Sequence, residues 1–229
     1  MKTQQSSSKA FLSLYGFVLA LYPFSIYFDN FTVQSISTLL MIPLLAVAFY
    51  FREKLVGDYF YIISMAWIGD ILLLQQNPST NFAAIISYWG SIFVLCITLQ
   101  RKVKKIPHTQ TKKKEGVFAF LVIGSILLTT IISIFPYYEI IIIPVSIYGI
   151  TLLLCGVFCF IMFCGNQNNS NTNLILGYIL LSVSAIAKSI ELFYLKESYS
   201  FHWNPIVYGF AQYYFYLYFA NESKKYYAL

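Results

Sequence analysis

Apolar runs of about 20 residues recur along this chain, and that is the length a helix needs to cross a hydrocarbon core of about 30 Å. Eight can be placed, at approximately 11–28, 33–51, 58–76, 82–100, 116–135, 138–163, 173–194 and 204–221. Their separators are polar or turn-forming: Asp29-Asn30, Arg52-Glu53-Lys54, Gln75 to Thr80 with Pro78, the basic stretch 101–115, Pro136-Tyr137, Gly165 to Asn173, and Lys196 to Trp203. The expected fold is all-α, a polytopic membrane helix bundle of eight transmembrane helices forming one multi-pass domain over 1–229. Its short loops imply antiparallel neighbours.

Charge supports the same reading. Charged residues make up only 10% of the chain, against roughly 25% in a soluble domain. The formal charge of +6 does not imply nucleic acid, because the basic residues sit in short loops where they orient a membrane protein. With a cytoplasmic N-terminus, the inside segments hold Lys2, Lys9, Arg52, Lys54, Arg101, Lys102, Lys104, Lys105, Lys112, Lys113, Lys114, Lys224 and Lys225. The outside loops hold only Lys196. This bias predicts an N-in, C-in topology, and hence an even number of spans, in the bacterial inner (cytoplasmic) membrane. The first run follows Lys2 and Lys9 but lacks a small-x-small cleavage pattern, so it reads as a retained helix. The basic 101–114 loop, which carries His108, is expected to rest on anionic lipid headgroups.

No cofactor or metal is expected. Cys96, Cys155, Cys159 and Cys164 all fall in or at the ends of apolar runs, where cysteine behaves as a small hydrophobe. Cys155 and Cys159 are one helical turn apart, but two ligands without a histidine do not make a site.

Three ionisable residues lie clearly within spans: Asp70, Lys188 and Glu191. A charge near a bilayer's centre costs several kcal/mol, so it faces protein, water or a partner and is functional by default. At 1.5 Å per residue, Asp70 lies roughly 18 Å and Lys188 roughly 22 Å from the cytoplasmic side, close enough in depth to pair. Gln212, on a helix running the other way, reaches a similar level. Gly177, Leu181, Ser184, Lys188 and Glu191 recur at intervals of four and three, which places them on one stripe. Tyr208, Gln212 and Phe215 form another, and Pro144, Tyr148, Thr151 and Cys155 a third. Such stripes would line a pocket with a polar outer half and an apolar inner half. The structural alternative is that Lys188 and Glu191 satisfy each other, while Asp70 takes hydrogen bonds from Gln212 or a tyrosine as packing glue.

Several motifs together resemble the YhhN-like membrane proteins, the lysoplasmalogenase family. Gly69-Asp70-Ile71-Leu72-Leu73 resembles the Gly-Asp-x-x-Leu of that family's third helix. Pro144-Val145-Ser146-Ile147-Tyr148 resembles its Pro-Val-x-x-Tyr, and Tyr208-Gly209-Phe210-Ala211-Gln212 its Tyr-x-x-Ala-Gln. Gly177 to Phe193 resembles its Gly-x-x-x-Phe-x-x-Ser-Asp segment, with Ser184 on the serine. The chain departs from the pattern at Ala185, where the family has aspartate. It also lacks the fourth-helix histidine in Tyr88 to Thr98, and the Lys-Pro near Thr38 to Pro43.

The resemblance implies hydrolysis of the vinyl-ether bond of lysoplasmalogens, releasing a fatty aldehyde. That reaction needs an acid to protonate carbon and a base to direct water. On this reading Asp70 is the main catalytic group, with Glu191 a substitute for the missing second carboxylate. Ser184, Lys188, Tyr148, Tyr208 and Gln212 would bind substrate or water, and the partner would be a membrane lipid or lysolipid. Two alternatives belong to other classes: a non-catalytic member holding a lipid or amphiphile in the same pocket, and a small-solute transporter using the charged cluster as a proton relay.

Overall fold

The computed structural model describes residues 2–53, 57–75, 77–105, 142–193 and 203–227, together with positions 116, 118, 122 and 124. Every extended element among them is a helix: α1 (Lys2–Tyr27), α2 (Phe31–Glu53), α3 (Asp58–Leu73), α4 (Pro78–Val103), α5 (Ile142–Gly165), α6 (Asn169–Phe193) and α7 (Asn204–Tyr227). The helices α5, α6 and α7 are the sixth, seventh and eighth runs of the sequence. The fifth run, 116–135, and the basic loop with His108 lie largely outside the described residues. Five helices, α1, α2, α4, α5 and α6, are long and apolar enough to cross a membrane. They mark the chain as an integral membrane protein. The helix α3 has 16 residues, about 24 Å at 1.5 Å per residue, and α7 is diluted by tyrosines and a polar end.

The helices form a ring. Each of α2 to α7 packs on its sequence neighbour among the described helices, α7 returns to α2, and α1 lies against both α2 and α7. The ends follow local rules. The helix α1 closes with a Schellman turn: the Asn30 N–H donates to the Ser25 carbonyl (2.9 Å) and the Asp29 N–H to that of Ile26 (3.0 Å). That turn requires a left-handed residue at its penultimate position. Asp29 supplies it at φ 48°. The helix α4 starts with Asn77 accepting from the Ser79 N–H and with Pro78 in its first turn, where the missing N–H of proline costs nothing.

Inside α2, Pro43 cannot donate to the carbonyl four residues back, which is that of Leu39. The indole N–H of Trp67 on α3 donates to the Leu39 carbonyl instead, at 3.0 Å. Such a freed carbonyl must find a partner at membrane depth. Helices α3 and α4 are stitched in the same manner, with Ser87 Oγ donating to the Met65 carbonyl (2.6 Å) and Ser91 Oγ to that of Ile62 (2.8 Å).

One end of the bundle is closed in two tiers. An aromatic layer comes first: Tyr59 lies 4.6 Å from Phe49 and 4.9 Å from Phe219, ring centre to ring centre, with Tyr216 against Phe49. Beyond it, Lys102 Nζ meets Glu222 Oε2 at 2.9 Å and Tyr218 Oη at 3.0 Å, and Ser170 Oγ donates to Glu222 Oε1. Arg52 covers the ring of Tyr216. We call this the Lys102 end and the opposite one the Asp29 end.

Candidate functional site

A cavity of about 460 Å³ occupies the centre of the ring on the Asp29 side. Its entrance is bordered by Asp29, Phe31, Gln34, Lys188, Glu191 and Asn204. Its base is apolar, formed by Ile62, Ala66, Ile92, Leu95, Leu181 and Phe215. All seven residues expected from the sequence line it: Asp70, Tyr148, Ser184, Lys188, Glu191, Tyr208 and Gln212. The polar outer half and apolar inner half follow from the stripes on α6 and α7, whose inward faces change from charged (α6) or polar (α7) to aliphatic or aromatic as they descend.

The stripe on α5 is only half used. Tyr148 and Val145 reach the cavity, but Thr151 instead accepts from the Trp89 indole N–H at 3.0 Å, and Cys155 is fully buried in the core. Gly177, at the foot of the α6 stripe, is where Phe215 packs: a Cβ there would sit 3.2 Å from the ring. No group of three potential metal ligands occurs among the described residues.

Asp70 is 5% exposed. Its Oδ1 accepts from the hydroxyl of Tyr88 at 2.5 Å, and its Oδ2 has no hydrogen-bond partner among the described residues. Tyr88 is a site residue that the sequence reading missed. The signal lies one residue away from Asp70, in Gly69: a Cβ there would come within 2.8 Å of Cε1 and Cζ of the Tyr88 ring. The glycine of Gly69-Asp70 is thus a notch for the ring whose hydroxyl holds the carboxyl. The Tyr88 ring in turn stands edge-on to Tyr208, 6.3 Å between centres.

Lys188 and Asp70 form no ion pair. Lys188 Nζ donates to Glu191 Oε2 at 3.1 Å, the two side chains being 32% and 24% exposed, and it acts on Asp70 only through space. The structural alternative therefore gave these pairings correctly: the α6 pair is internal, and a tyrosine serves Asp70. It does not account for the cavity. Besides Asp70 Oδ2, the buried atoms Gln212 Oε1, Ser35 Oγ and Asn204 Oδ1 on its lining residues also lack partners among the described residues, and Tyr208 Oη has only the Gln212 side chain beside it. Buried polar atoms are nearly always satisfied by protein or by ordered water. Four on the residues of one cavity point to a ligand or water in it.

Ala185 lines the same cavity, so the aspartate of the family pattern would have stood in this wall. Comparison with known proteins adds one result. The profile of the YhhN family matches residues 33–218. No curated protein and no solved structure matches the chain.

Proposed function

The chain belongs to the YhhN family, and on that premise we propose that it is a membrane hydrolase that cleaves the vinyl-ether bond of a lysoplasmalogen-like lipid. The observation that carries the reading is one carboxyl, Asp70, at the boundary between the polar and apolar halves of a dead-end cavity, with one oxygen engaged and the other unpartnered. A single-chain amphiphile fits this division. Its head stays at the charged entrance, its tail enters the aliphatic base, and its ether linkage lies between them.

Because Tyr88 donates to Oδ1, the acidic proton of Asp70 sits on Oδ2. In the proposed reaction Oδ2–H protonates the vinyl carbon remote from the ether oxygen, and the adjacent carbon becomes an oxocarbenium ion. Water adds to that carbon and returns a proton to the Asp70 carboxylate. The hemiacetal then collapses to a fatty aldehyde and a free glycerol hydroxyl. One carboxyl serves in turn as acid and base, as in other hydrolyses through oxocarbenium-like states. Tyr208 and Gln212 stand side by side, and with the Gln212 Oε1 unpartnered they are suited to hold the water. Tyr148 and Ser184 position the substrate, while Glu191, held by Lys188, belongs to the entrance.

The topology we propose has eight spans with both termini cytoplasmic. The helix α4 ends, and α5 begins, at opposite ends of the bundle, which supports a span between them. Gly116 lies against Ile161, and Gly124 against Leu153, an order antiparallel to α5. Of the thirteen basic residues expected inside, the nine that are described, at positions 2, 9, 52, 101, 102, 104, 105, 224 and 225, then lie toward the Lys102 end, and the cavity opens to the opposite face.

The test is aldehyde release from lysoplasmenyl-ethanolamine by the purified protein in heavy water, with a saturated alkyl-ether analogue as control. Aldehyde with one deuterium beside the carbonyl supports the mechanism, and no aldehyde refutes it. Ala185 favours a second reading, in which the pocket binds the lipid without cleaving it. Binding without aldehyde is the result that would select it.

A further inference from the structure

Among the described residues, the ionisable acids and bases lining the cavity are Asp29, Asp70, Glu191 and Lys188, three carboxyl groups against one ammonium. Glu191 already engages that ammonium at 3.1 Å. Asp29 borders the entrance, is exposed, and makes no ion pair among the described residues. The buried amide oxygen Asn204 Oδ1 faces the same demand for a donor, and so do Asp70 Oδ2 and Gln212 Oε1 deeper down. Hydroxyl and amide groups on the lining can donate as well as accept, but the formal charges at the entrance are two carboxylates, Asp29 and Glu191, against the one ammonium of Lys188. A buried acceptor left unpaired is costly, and a hydrogen bond from a charged donor is the strongest way to satisfy it.

We infer that the entrance selects amphiphiles whose head carries a primary ammonium beside a phosphate, over heads with a quaternary ammonium and over heads that are purely anionic. The ammonium, with three N–H donors, takes Asp29 and Glu191, and the phosphate takes the donors of Lys188 that Glu191 does not use. A quaternary ammonium brings the charge but no N–H, so it makes no hydrogen bond to either carboxylate. An anionic head without an amine has only Lys188 to meet its phosphate and brings no cation to the two entrance carboxylates.

The inference deepens the proposed function and shares its cavity, but its test does not need catalysis. Saturated alkyl-ether lysolipids, which offer no vinyl ether to cleave, are prepared with ethanolamine, choline and glycerol heads. Their dissociation constants are measured on the full-length protein in nanodiscs. The expected order is ethanolamine, then choline about three- to tenfold weaker, then glycerol about tenfold or more weaker than ethanolamine, the choline step being less than one full charge-assisted hydrogen bond because the entrance is open to water.

Asp29→Asn keeps a residue that tolerates a positive φ, and should bring ethanolamine to within about twofold of choline. Glu191→Gln frees Lys188 and should raise affinity for the glycerol head. Equal constants for all three heads on the wild type would overturn the inference, as would an unchanged order in both variants. If aldehyde release fails while this order holds, the hydrolase reading falls and the selectivity stands.

Discussion

Replacing Gly69 by alanine tests the link between the Gly-Asp motif and the site. In a helix the exchange alone favours alanine by about 1 kcal/mol. Here the new Cβ meets the Tyr88 ring at 2.8 Å, and the ring cannot swing freely because its hydroxyl is bound to Asp70. Overpacking of this kind costs about 1–3 kcal/mol, and pushing the hydroxyl off a buried carboxyl adds about 1–3 kcal/mol. The net expected loss is about 3 kcal/mol, within a range of about 1–5. For a chain of this size that lowers the midpoint of thermal unfolding by about 6–12 °C.

The control is Gly16→Ala on α1, where a Cβ meets nothing within 4 Å and a small gain is expected. Thermal melts in detergent should separate the two variants clearly. In a Tyr88→Ala background, Gly69→Ala should lose most of its cost, because the ring is gone, and the coupling in that double-mutant cycle should be about 2 kcal/mol or more. A Gly69→Ala protein as stable as Gly16→Ala, or a cycle with no coupling, would refute the reasoning.

Three further outcomes are expected. Trp67→Phe leaves the Leu39 carbonyl without its indole donor and should lower stability by about 1–2 kcal/mol, measured by the same melts. Glu222→Gln strips the charge from a pair only 20% and 16% exposed and should cost about 1–3 kcal/mol, with little dependence on added salt. Ala185→Asp puts a second carboxyl into the cavity wall and, by dividing the acid and base roles, should raise kcat for aldehyde release about tenfold or more. A rate unchanged in a folded variant would count against the division of roles.

The helices were legible because spanning length is a property of composition along the chain, and the observed ends of α2, α5 and α6 lie within about a turn of the apolar runs. Asp70, Lys188, Glu191 and Gln212 stood out because polar groups are rare in such runs, and the shared face of α6 and α7 followed from intervals of three and four. Tyr88 did not stand out. It is one tyrosine among 20, and its partner lies on another helix, so no spacing within α4 reveals it. The use of Thr151 and Cys155 was hidden for the same reason: their stripe on α5 faces Trp89 and the core rather than the cavity. Pairing also escaped the depth argument. Lys188 and Asp70 match in level, yet Lys188 reaches Glu191 one turn along its own helix with less loss of side-chain freedom.

The most direct measurement is aldehyde release from lysoplasmenyl-ethanolamine by the wild type and by Asp70→Asn, with binding of the saturated analogue measured on both. The account predicts release by the wild type and a loss of release in Asp70→Asn to the level of the uncatalysed reaction. Binding should stay within a few-fold of the wild type, since the carboxamide keeps the shape of the side chain and its oxygen still accepts from Tyr88. Release that persists in Asp70→Asn would contradict the account.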